Sequence, residues 1–113
     1  MTKYLISFPS EAMIVPDDQM RAVSDASHAV VEEAKAAGVW VFGGGIDESV
    51  PPVLVDGDGT VAEGAHPRTR GLDGGWTVLE VPTREEALGW AARIAAACRC
   101  AQEVRAFLDD PAS

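Results

Sequence analysis

The chain has 113 residues, 47% of them apolar, which suits one folded domain with a modest core rather than a disordered segment. Eighteen acids against nine bases leave a formal charge of −9. Nucleic-acid binders need a basic face to displace counterions from phosphates, and the only close basic pair in an exposed-looking segment is Arg68 with Arg70, so that class is disfavoured.

In chain order, the opening MTKYLISFPSEAM has neither a long apolar core nor a small-residue cleavage site, and no signal peptide is expected there. Its KYLISF, residues 3–8, is a run of β-formers ended by Pro9 and predicts a first strand. Residues 9–16 hold two prolines and read as a loop. Asp17 or Asp18 is placed to cap a long helix, along which Met20, Val23, Ser27, Val30, Val31 and Ala34 recur at helical spacing. Gly38 is its stop signal. VWVF, residues 39–42, is unbroken in its apolarity and predicts a second strand buried on both faces.

Gly43, Gly44 and Gly45 come next. They fit neither the P-loop nor the dinucleotide pattern, and no helix follows whose N-terminus would hold an anion. They read instead as a strand end with a bulge or sharp bend, setting Asp47 at the rim of a cavity. VLV (53–55), DGDG (56–59) and TVAE (60–63) predict a hairpin turning on Asp-Gly. After an Arg- and Gly-rich loop, WTVLEV (76–81) alternates as a strand. Thr83 with Glu86 forms a capping box for a helix that buries Ala87, Leu88, Ala91, Ile94, Ala95 and Cys98. Cys98 and Cys100 are spaced poorly for an internal disulfide or a zinc site, and read as reduced thiols of a cytoplasmic protein. QEVRAFL (102–108) predicts a closing strand before a frayed tail. No apolar run approaches the roughly 18 residues of a membrane span.

The order β-α-β-(β-hairpin)-β-α-β, over a single domain of residues 1–113, is a ferredoxin-like α+β plan: an antiparallel sheet with two helices on one face. The bare face of such a sheet needs cover. Pairing of two copies face to face, as a homodimeric α/β barrel, is the expected answer.

The stretch AEGAHPRTRGLDGGWTVLEVPTREEALGWAARI, Ala62 to Ile94, resembles the YCII-related family in its DGPF-type branch. Shared features are the hairpin before it, the Gly-Gly-aromatic start of a strand, and the helix piece EEALGWAARI. The branch signature is replaced: Glu63-Gly64-Ala65-His66 stands where Asp-Gly-Pro-Phe would be. The family also has a histidine on its first helix in an A-H-L-like context, and an A-G-P-L segment followed by Asp. Ser27-His28-Ala29-Val30 and Gly43-Gly44-Gly45-Ile46-Asp47 match these, with Gly45 in place of the proline. The resemblance implies that His28 and Asp47 form a dyad in a cleft.

Read from the residues alone, His28 lies roughly 110° from the centre of the first helix's apolar stripe, at the border of its buried face. There it either reaches a cleft or merely covers surface. An aspartate on one ring nitrogen would make the other a better general base. Glu63 and His66 are either a second proton-transfer pair at the same mouth or a solvated hairpin end. Arg68 and Arg70 either grip an anionic substrate or are loop charges. Trp40 is a packing residue with a possible second role as cavity wall. No His spacing preorganises a metal site, and no cofactor is expected. The leading reading is a cofactor-free enzyme acting on a small organic molecule by lyase- or dehalogenase-like proton transfer. The alternatives are a non-catalytic dimeric binding or regulatory module and, on fold analogy, a cofactor-free monooxygenase.

Overall fold

In the computed structural model, which describes residues 1–113, the elements follow the expected order. They are β1 (Thr2–Phe8), α1 (Met20–Ala36), β2 (Trp40–Gly45), β3 (Val53–Val55), β4 (Val61–Glu63), β5 (Gly75–Val81), α2 (Arg84–Cys98) and β6 (Glu103–Ala106). The main sheet runs β2-β5-β1-β6 with every pairing antiparallel, and β3 with β4 forms a separate hairpin. This mixed α+β arrangement is consistent with a ferredoxin-like fold.

Strand alternation decides what the helices cover. Tyr4 and Ile6 of β1 stand on the same face as their β5 neighbours Leu79 and Val81. Ala34 of α1 and Ala91 of α2 close over Ile6 and Leu79, while Ala87 packs with Tyr4 and Val81. Alanine at these contacts lets both helices sit close to the sheet. α1 stops as expected: Gly38 takes φ +75°, and the Val39 N–H returns to the Ala34 carbonyl at 3.1 Å. Its start differs. Asp17 and Asp18 lie in a short 3-10 turn, Gln19 occupies the N-cap, and no side chain caps the helix. Thr83 does cap α2, accepting from the Glu86 N–H at 3.2 Å. Leu88 is exposed rather than buried, because it turns away from the sheet beside Ala87 and Ala91.

The second strand departs most from expectation. It is an edge strand, and Val41 and Phe42 are exposed rather than buried on both faces. The glycines are its last three residues rather than a bend after it. Gly43, Gly44 and Gly45 pair with Thr77, Trp76 and Gly75, and the irregularity falls earlier, between Trp40 and Phe42. The loop before β5 also has structure, a 3-10 helix over Pro67–Leu72.

The start of β5 is tied to the end of β1 by the Asp73-Gly74-Gly75 sequence. Asp73 accepts from both the N–H and the hydroxyl of Ser10, each at 2.9 Å. Those bonds, the backbone one foremost, hold its carboxyl below the usual aspartate value. A carboxylate whose pKa falls on folding adds stability that is complete above the unfolded value of about 3.9 and is lost as pH drops through the lowered one. Asp73→Asn is therefore expected to lower Tm at about pH 7, with the gap to wild type narrowing at about pH 3. Thermal melts at the two pH values check this; a gap that stays constant removes the carboxylate from the account.

Candidate active site

A cleft of about 600 Å³ opens between α1, the edge strand β2 and the end of α2. Its β2 side is largely main chain, since Gly43, Gly44 and Gly45 all line it. Gly43 has a definite steric reason to be glycine: a methyl there would overlap the Trp40 ring and stand 3.1 Å from the Trp76 carbonyl oxygen. The indole of Trp40 thus lies over bare backbone and forms a wall. Trp76 is anchored by its Nε1–H, which donates to the Leu72 carbonyl at 2.9 Å.

On the helix side, His28 is exposed and lines the cleft. Ser27, beside it, donates its hydroxyl to the Val23 carbonyl at 2.8 Å and lies 3.5 Å from Cys98 Sγ. Cys98 is a free, buried thiol in the same lining, and Cys100 is free and half-buried. Burial, with the neighbouring Cys98 second, pushes the Cys100 thiol up.

Asp47 follows β2 by two residues and is exposed outside the cleft lining. Its carboxylate accepts from the hydroxyl of Ser49 at 2.6 Å and from the Ser49 N–H at 3.0 Å. These bonds, the hydroxyl's first, lower its pKa. No hydrogen bond or ion pair joins it to His28 in the single chain. Glu63 ends β4 and is exposed. His66 precedes the 3-10 helix, where its carbonyl accepts from Thr69. Arg68 and Arg70 lie exposed on that helix. None of these four lines the cleft. The structure therefore brings His28 and Trp40 together and leaves the other sequence-derived residues outside. It adds one that the sequence reading passed over, Lys35, seven positions after His28 and also in the lining. Seven residues return to nearly the same side of a helix, so the spacing carried that signal.

The fold and cleft define a small α+β protein with a histidine at the mouth of an apolar pocket. The YCII-related domain model matches residues 2–108, and the chain belongs to that family. Among solved structures, 5-chloro-2-hydroxyhydroquinone dehydrochlorinase (TftG) from Burkholderia phenoliruptrix AC1100, in complex with 2,5-dihydroxybenzoquinone, is similar. It shares 15% identity and a TM-score of 0.50, with 96% of this chain and 95% of that one covered. At that identity the likeness is one of fold. No curated protein matches the chain. No helix is long and apolar enough to cross a membrane.

Proposed function

We propose that this YCII-related protein is a homodimer that acts on a small organic molecule by proton transfer, without a redox cofactor, with His28 as the proton acceptor. The observation that carries the reading is the position of His28 at the rim of the apolar cleft, on a helix held down by Val23 and Ala34. A neutral imidazole there takes a proton from an acidic C–H or O–H of the bound molecule, and a leaving group departs as the electrons move. Asp47 completes the dyad by accepting from the imidazolium. Only Ser49, two residues along the same loop, holds its carboxylate in the free chain. Removal of HCl, the reaction named for the structural neighbour, belongs to this class and supplies the first substrates to try.

A screen of chlorinated hydroquinones, halogenated acids and small lactones tests the reading. Turnover by wild type that His28→Ala loses is the expected outcome; equal rates for the two proteins dismiss His28 from the chemistry. A second reading, a binding module without turnover, is favoured by the Ser49 hold on Asp47 and by the position of Glu63 and His66 outside the cleft. Saturable binding with no product for any substrate would select it.

The exposed surface supports the dimer. A compact monomer of 11.9 kDa exposes about 5,900 Å², whereas this chain exposes 7693 Å². Its Cα radius of gyration is 15.5 Å, against about 13 Å for a compact domain of this length. The excess of roughly 1,800 Å² per chain is what an obligate homodimer covers. Phe42 and Phe107, both exposed, lie by strand register on the sheet face away from the helices. The hairpin leaves Val53, Val55 and Val61 open as well, and an isolated hairpin is marginal in water. Light scattering on an eluting peak is expected to give twice the chain mass, and Phe42→Glu to shift it toward the monomer. A wild-type peak at the single-chain mass rules the pairing out.

A further inference from the structure

We propose that the ligand is a planar aromatic anion and that Lys35 holds its charge, an inference that rests on the cleft being the ligand site proposed above. The chain carries eighteen acids, yet none lines the cleft. Its one full cation there is Lys35. An anion entering this cleft therefore meets a local charge opposite to that of the whole molecule, whereas a cationic ligand meets no carboxylate and is repelled by Lys35.

The walls specify the rest. Two of the three tryptophans, Trp40 and Trp90, line the cleft together with Phe8, while strand alternation turns the Trp76 indole to the other face of the sheet. Aromatic faces and edges favour a flat ring over a puckered one of equal size. Lys35 is held elsewhere only weakly. Its ammonium sits 5.9 Å from the centroid of the Trp40 ring and 3.6 Å from Glu32, and both members of that ion pair are half exposed or more. Such a pair is weak and readily exchanged. A ligand carboxylate or phenolate resting against Trp40 is a better partner, because the apolar wall excludes water from the new bond.

Spacing fixes the size. His28 and Lys35 are seven residues apart on α1, about two turns or roughly 10 Å along its axis. One aromatic ring with an anionic group at one end and a reactive group at the other spans that distance. Lys35 is thus a binding and specificity residue, distinct in role from His28. Arg68 and Arg70, the cations that the sequence reading set against an anionic substrate, stand outside.

The wall tryptophans, Trp40 and Trp90, give the readout. Purified protein titrated with benzoate, benzamide and cyclohexanecarboxylate, followed by tryptophan fluorescence at low salt, is expected to bind benzoate about tenfold or more tightly than either other probe. Lys35→Met, which keeps the apolar stem on Trp40, is expected to bring benzoate down to the benzamide level and leave benzamide unchanged. Glu32→Gln frees the ammonium and is expected to tighten benzoate two- to threefold. Equal binding of benzoate and benzamide, survival of the preference in Lys35→Met, or no binding of any probe overturns the inference. Binding is read without turnover, so the two proposals fail separately. A Lys35-dependent preference in a protein that turns nothing over defeats only the enzymatic reading. Turnover by a cleft that ignores charge defeats only this one.

Discussion

Gly74→Ala is expected to cost at least about 3 kcal/mol and to leave much of the chain unfolded. A methyl at this position would overlap the Phe8 carbonyl oxygen and lie 2.9 Å from the Ser10 nitrogen and 3.0 Å from the Pro9 carbonyl carbon. All three are main-chain atoms of the segment that leaves β1, and Asp73 next door clamps the same segment through Ser10. No side chain can swing away to make room. The neighbouring Gly75 offers the contrast, since a methyl there meets the Phe8 ring, which can rotate. Gly75→Ala is therefore expected to cost less, about 1–3 kcal/mol. Only 12 residues of the single chain are buried, so there is little core to absorb either loss. Urea denaturation of both variants measures the difference. A wild-type midpoint for Gly74→Ala contradicts the packing of β5 against the end of β1.

His28→Ala is expected to lower turnover of whichever substrate the screen finds by 10²–10⁴-fold, the usual worth of a positioned acid or base. Its fold should survive, because His28 is exposed and neither core cluster includes it. Asp47 separates a lone histidine from a dyad. If its carboxylate leaves Ser49 to orient the imidazole, Asp47→Asn lowers kcat with little change in KM, while Ser49→Ala leaves turnover intact or raises it. Should Asp47→Asn react at the wild-type rate, His28 acts alone. Loss of activity in Ser49→Ala would mean that the loop conformation, rather than the free carboxylate, is what the reaction uses.

The element order, the antiparallel sheet and the paired helices were legible in the sequence because each rests on local periodicity and punctuation. KYLISF ended by Pro9, the stripe from Met20 to Ala34, the Gly38 stop and the Thr83 cap depend on few residues at a time, and the fold agrees with all of them. The edge position of β2 was not legible. VWVF reads the same on an edge as in the middle of a sheet, and only pairing with β5 alone fixes which it is. The glycine run was misjudged for the same reason. Gly43 is small to admit the Trp40 ring, and Gly74 to admit the backbone of a strand more than sixty residues away.

For the site, the helix border position of His28 and the family resemblance singled out the residue that the fold sets at a cleft. Charge counting by segment drew Arg68 and Arg70 forward, but it could not know that they stand on a 3-10 helix outside the lining. Sequence by itself determined what each segment can form and which ionisable residues exist. Tertiary structure alone decided which of them share a cavity, because that depends on strand register and on where a glycine leaves room for a distant ring.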